Sequence, residues 1–261
     1  MTLIAHCGTT KISREELRLL PVPPATATHK PIPHHEVVQA LIETLGFRHI
    51  SVVFDEYAVS PDGMKMFGSL DLDYEYSDVR FSIGVKNAHD KSMRLALTIG
   101  YRTLVCDNMA FKGDFTPILH KHTKNLDLID LLSVGVDKMQ RNFDPLKQQI
   151  DDWKTGKLID DQAKVIIYEA FVEQRLPMRL LPSVHQHYFQ PAYEAFAPRT
   201  MWSLSNAFTS SFKKLTPIRQ FQLTAKLGSF LSSPSLLQEN FIEESRQNGG
   251  SLRPLQAAAH Q

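Results

Sequence analysis

From His34 to Leu45 the apolar residues Val37, Val38, Leu41 and Leu45 recur at helical spacing, and Gly46 supplies a stop, which predicts a helix. After it the period changes from about 3.6 to 2. His49 to Val59, a turn at Ser60-Pro61-Asp62-Gly63 and Met64 to Tyr76 form a hairpin pattern with Asp-Gly at the turn. In the second of these runs Leu70, Leu72, Tyr74 and Tyr76 alternate with Asp71, Asp73 and Glu75. Val79 to Lys86 puts Phe81, Ile83 and Val85 on one side and Arg80, Ser82, Gly84 and Lys86 on the other. Met93 to Cys106 alternates Met93, Leu95, Leu97, Ile99 and Tyr101 with Arg94, Thr98, Gly100 and Arg102. Four strands with short connections predict an antiparallel meander with one buried and one solvated face.

Helical spacing returns after Lys124. Leu128, Leu132, Val136, Met139, Phe143, Leu146, Ile150 and Trp153 predict a long helix, or a pair broken near Asp144-Pro145, ended by Gly156 and packed on the apolar side of the sheet. Asp160 or Asp161 can cap the next helix, whose apolar side is Ala163, Ile167, Ala170 and Phe171. Further helices are expected from Trp202 to Leu215 and from Thr216-Pro217 to Leu231, with Thr-Pro as cap and first position. Strands followed by helices define an α+β class: an antiparallel β-meander packed on one face by a long helix, then a helical C-terminal region. The expected layout is a Pro-rich arm over 1–33, a single α+β domain over 34–233 (meander about 49–125, helices about 126–231) and a flexible tail over 234–261.

Composition narrows the class. With 261 residues, 43% hydrophobic and 22% charged, disordered, collagen-like and disulfide-scaffold classes are excluded. Apolar runs are far shorter than the roughly 20 residues that span a bilayer, and Met1 to Leu20 lacks a signal-peptide hydrophobic region. A cytoplasmic protein with no membrane partner is expected. Cys7 and Cys106 stand far apart in unlike contexts and read as free thiols.

The net charge of +1 conceals a gradient. Residues 177–233 carry Arg179, Arg199, Lys213, Lys214, Arg219 and Lys226 against the single acid Glu194, a net of +5. On the sheet, Arg80, Lys86, Arg94 and Arg102 fall opposite the apolar side, with Lys91, Lys112, Lys121 and Lys124 in neighbouring connections. Such a stripe can track phosphates, and Tyr57, Phe111 and Phe115 can stack bases where exposed. The plainer alternative is an ordinary solvated face, because Asp71, Asp73 and Glu75 dilute the stripe. The nucleic-acid set comprises Arg80, Lys86, Lys91, Arg94, Arg102, Lys112, Lys121, Lys213 and Lys214.

Other chemistry finds less support. Asp71, Asp73, Glu75 and Asp78 offer carboxylates that a divalent metal needs, although a wet sheet face carries such residues anyway. The pairs His34-His35, His120/His122 and His185/His187 lack a cysteine or acidic partner at zinc-ligand spacing and read as surface histidines. Cys106 beside Asp107 and Asn108 reads as a buried strand-end residue rather than a nucleophile. No GxxxxGK[ST], GxGxxG, GxSxG or HExxH motif is present, so no cofactor, no metal and no catalytic residue is assigned.

Two segments carry a family resemblance. Gly100 to Phe111 (GYRTLVCDNMAF) resembles the strand and VCxNG segment of phage/plasmid-like proteins in domain-of-unknown-function family 932, and Thr200 to Thr209 (TMWSLSNAFT) is similar to that family's T-x-W-x-L-x-N-A-x-T run. The residues matching the motifs are Cys106, Asn108, Trp202, Asn206 and Thr209. Met109 stands where the family often has glycine, and Ser210 to Lys214 replace aromatic and histidine residues usual after the second motif. The resemblance spans most of 30–230 and implies a passenger of phages, plasmids and other mobile elements. The order of helix, meander and long helix is also similar to the core of single-strand annealing recombinases of the Rad and Red-beta kind. That likeness implies a non-enzymatic protein, forming a homo-oligomeric ring or filament, that binds single-stranded DNA and promotes annealing in recombination or in plasmid or phage establishment. The alternatives are an anti-defence or other protein-interaction module that sequesters a host factor, and a metal-dependent nuclease using Asp71, Asp73 and Glu75.

Overall fold

Alternation along four long runs builds one sheet. A computed structural model describes residues 10–111, 118–120 and 127–233. Its strands are β1 (Thr10–Ile12), β2 (Val52–Val59), β3 (Lys65–Tyr76), β4 (Val79–Ala88), β5 (Leu95–Thr103) and β6 (Asn108–Phe111), hydrogen-bonded in that order and antiparallel throughout. A seventh, β7 (Ile118–His120), pairs β5 at Leu95–Leu97. The helices are α1 (Arg14–Leu17), α2 (His34–Gly46), α3 (Leu128–Gln140), α4 (Phe143–Thr155), α5 (Asp160–Glu173), α6 (Leu181–Phe189), α7 (Met201–Phe212) and α8 (Pro217–Leu231). This is the expected α+β meander with its helices mostly C-terminal.

Local signals set the boundaries. The β2–β3 turn uses Gly63 at φ +68°, a conformation glycine adopts without strain, while the Asp62 carboxylate accepts the Met64 N–H at 3.0 Å. The long helical pattern is a pair, α3 and α4, and Pro145 falls in the first turn of α4, where its missing N–H forfeits no helical bond. Thr200 and Thr216 cap α7 and α8 by accepting from Ser203 N and Arg219 N, with Pro217 opening α8. Asp160 and Asp161 do not cap α5: they occupy its first turn, and Ile159 is the N-cap.

One face of the sheet presents Leu70, Leu72, Phe81, Ile83, Leu97 and Ile99 to a core shared with Val38 and Leu41 of α2, Val136 of α3, Ile150 of α4 and Phe208 of α7. The other face was expected to be wet, and it is so only in part: Asp73 and Glu75 near the end of β3 are exposed, but the middle of the face is covered. Ser69, Asp71, Ser82, Thr98 and Arg102 on it are all buried. The sheet curls, and β6 brings Met109 and Phe111 over this side, where Phe67, Phe111 and Phe221 of α8 form a second apolar cluster. Small residues make the space. A Cβ built on Gly84 meets the Phe111 ring at 2.8 Å, and one built on Gly100 meets the Ala110 carbonyl at 2.4 Å.

The N-terminal arm is more structured than its proline content suggests. β1 pairs Thr10–Ile12 with Tyr57–Val59, and Ser13 caps α1 through a reciprocal bond with Glu16. Further along, Ile32 O accepts from Asn87 Nδ2 at 2.9 Å and faces His89 Nε2 at 3.0 Å, and His29 Nε2 meets His89 O at 3.0 Å. The rings of His34 and His89 stack at 3.9 Å. His34 is therefore an interior residue and not the surface histidine expected.

Candidate nucleic-acid interface

The two basic residues at the heart of the sheet stripe are engaged with acids. Arg102 donates from Nε to Asp71 Oδ2 at 2.7 Å, and the same carboxylate accepts from Ser82 Oγ through Oδ1 at 2.7 Å. With Arg102 at 6% and Asp71 at 2% exposure, this is a buried ion pair, and Arg102 does not present a cation to solvent. Arg80 is paired with Glu75. Saturation of Asp71 also removes it from any set of open metal ligands with Asp73 and Glu75. Tyr57 and Phe111, which could stack bases only if exposed, are buried at 1% and 3% exposure. Lys112, Phe115, Lys121, Lys124 and His122 lie outside the described residues.

The remaining cations differ in setting. Lys91 and Arg94 are exposed around the β4–β5 turn. Lys86 is half-buried, its ammonium 5.4 Å from the centre of the Phe221 ring, and burial lowers its pKa. It is the sheet cation that meets α8. Lys213 donates from Nζ to Cys106 O at 2.6 Å, and burial lowers its pKa against the opposing pull of Cys106 and Asp107. Lys214 sits beside Ser183 of α6. His187, also of α6, is pushed toward its neutral form by burial, then by Lys214 and Lys213.

What distinguishes α7, α8 and their connection is the absence of acid. From Ala195 to Gln238 the chain has no Asp or Glu, yet carries Arg199, Lys213, Lys214, Arg219 and Lys226. Lys214, Arg219 and Lys226 are exposed, and among the described residues no ion pair joins them to a carboxylate. Arg219, Gln222 and Lys226 follow at i, i+3 and i+7, so they share one side of α8. Arg219 and Lys226 belong to the +5 region but were not placed in the candidate set; the acid-free run was the signal that identifies them.

The two sequence motifs meet in space. Asn108 of β6 donates from Nδ2 to Asn206 Oδ1 (3.0 Å), Asn206 O (3.1 Å) and Ser210 Oγ (2.9 Å). Thr103 Oγ1 donates to Asn206 Oδ1 at 3.2 Å, and Asn206 Nδ2 returns a bond to Trp202 O. Trp202 packs on Tyr101, Thr209 bonds the Ser205 carbonyl, and Cys106 is a buried free thiol whose pKa burial raises. The bonds of Asn108 and Thr103 to Asn206 and Ser210, with the Trp202–Tyr101 contact, clamp α7 to the end of the sheet.

The fold and surface define an α+β protein whose helical layer presents a basic, carboxylate-free strip. The chain belongs to the family described as Domain of unknown function (DUF932), whose model matches residues 25–229. No curated protein and no solved structure matches it. Among the described residues no helix is long and apolar enough to cross a membrane.

Proposed function

We propose that this protein is a cytoplasmic, non-enzymatic single-stranded DNA-binding protein of a mobile genetic element that promotes annealing. The observation that carries the reading is the contrast between Arg80 and Arg102 on the sheet, which are engaged with acids, and the exposed cations Lys214, Arg219 and Lys226 of the acid-free run. A polyanion gains most where cations have no internal counter-charge, and released counterions make such binding steeply salt-dependent. The interface is therefore centred on the α7–α8 connection and α8, extended by Lys86, Lys91 and Arg94, and assembly into a ring or filament would align these strips. Fluorescence anisotropy of a labelled single-stranded oligonucleotide tests it. Lys214→Glu/Arg219→Glu/Lys226→Glu replaces only exposed side chains and is expected to lower affinity at least tenfold. It should also flatten the salt slope by about 2, at roughly 0.7 per lost phosphate contact. A wild-type protein that leaves the oligonucleotide free at low salt overturns the reading.

One observation favours the alternative of a protein-interaction module: Val165, Tyr168 and Val172 leave more than half of each side chain exposed on α5. Retention of a stoichiometric host protein together with failure to bind oligonucleotide would establish it. The nuclease alternative has no comparable support, since both Asp71 oxygens are held by Arg102 and Ser82.

A further inference from the structure

α5 is apolar on two opposite sides. Ala163, Ile166, Ile167, Ala170 and Phe171 are buried in the protein's own core. Val165, Tyr168 and Val172 are 53%, 64% and 55% exposed and follow one another at i, i+3 and i+7, so they form a second, outward stripe. A surface helix ordinarily needs one apolar stripe, and a second asks for a partner. Written as a heptad, Val165 and Val172 take a, Tyr168 takes d, Lys164 takes g and Glu169 takes e. The buried residues fall at b, c, f and the later g, turned toward the core.

We propose that α5 is a self-association surface, whose partner is α5 of a second copy of this chain in parallel, two-fold orientation. The flanking charges select the copy and its direction. In a parallel pair a g residue faces the partner's e residue five positions on, which sets Lys164 against Glu169 of the partner subunit. An antiparallel pair sets g against g and e against e, juxtaposing lysine with lysine and glutamate with glutamate. Asp161 takes the d position one heptad before Tyr168 and faces its twin in a parallel pair, but it already pairs with Lys164 within its own helix at 2.8 Å, which tempers that repulsion. The pair is closed by its own symmetry, so a ring or filament would need another surface. At 14 residues, about 21 Å long, α5 supplies two heptads, an interface of the weak and transient class.

Sedimentation equilibrium of the full chain without nucleic acid, from about 10 μM to about 1 mM, tests the pair independently of any DNA reading. The wild type is expected to pass from monomer to dimer over this range. Tyr168→Glu should weaken dimerisation at least tenfold, with circular dichroism and melting temperature checking that the exposed substitution keeps the fold. Lys164→Glu should weaken it, and Lys164→Glu/Glu169→Lys should restore it. A wild type that stays monomeric throughout, including one that captures a different protein through Tyr168, overturns the proposal. So does a dimer indifferent to Tyr168→Glu, or a charge exchange that fails to restore association.

Discussion

Asn108 and Asn206, 98 residues apart in sequence, meet side chain to side chain at 3.0 Å in the interior. Asn108 also reaches Ser210, and Asn206 receives Thr103, so truncating either amide strands several polar groups away from water. Each buried group left unsatisfied costs about 1–3 kcal/mol. Asn206→Ala is expected to lose at least about 2 kcal/mol in urea unfolding. An unchanged midpoint would show that the clamp contributes nothing to stability.

The Asp71–Arg102 pair changes how charge reversal on the sheet must be read. Removing one partner of a buried pair costs about 3–5 kcal/mol, whereas replacing both with apolar residues is close to neutral. Arg102→Glu should therefore unfold the protein rather than report on DNA. Asp71→Leu/Arg102→Met should recover most of the melting temperature lost in Arg102→Met alone. Equal melting temperatures for the single and double variants would refute the coupling.

Acid should loosen the arm. His89 is buried against Ile32, His29 and His34, and desolvation lowers its pKa from the ordinary 6.5. The unfolded chain therefore takes up a proton that the folded one resists. The resulting stability is fully present above about pH 6.5 and is lost as pH falls below it. Melting temperature should fall between pH 7 and pH 5, with hydrogen exchange rising first at residues 26–33. His89→Gln keeps a donor for Ile32 and removes the titration, so its melting temperature should vary less with pH. A pH slope as steep as the wild type's would assign the effect elsewhere.

Gly84 and Gly100 should respond differently to alanine. At Gly84 the new methyl meets the side chains of Phe111 and Thr98, but at Gly100 it meets the backbone carbonyl of Ala110. Overpacking costs about 1–3 kcal/mol. Phe111→Leu should therefore relieve part of the penalty of Gly84→Ala and little of that of Gly100→Ala. Equal rescue at both sites would contradict the packing described.

The elements with a strong period were legible in the chain. Val37, Leu41 and Leu45 marked α2, and Phe81, Ile83 and Val85 marked β4, because one-sided burial imposes a period. The second sheet face was misjudged in its middle for a physical reason: Ser82, Gly84 and Gly100 resemble solvated positions, while here Gly84 and Gly100 leave room for Phe111 and Ser82 bonds the buried Asp71. Arg102 looked like a surface cation because its counter-ion, Asp71, lies 31 residues away on a non-adjacent strand. α6 was missed because Pro177, Pro182 and Pro191 crowd LPSVHQHYF and it buries only Val184 and Tyr188. β1 has three residues, too few for a period. The motif residues were found by resemblance, yet only the fold shows that Asn108 and Asn206 bond each other.

Helix α8 reaches into both apolar clusters. Phe221 closes the curled side of the sheet with Phe67 and Phe111, while Leu227, Phe230 and Leu231 belong to the main core. α8 thus bridges the two apolar clusters on opposite sides of one sheet, and its detachment would expose part of both. Any ligand held on the outer side of α8 would raise a single cooperative transition for the whole fold, by RT ln(1 + [L]/Kd), instead of protecting only the helix it touches.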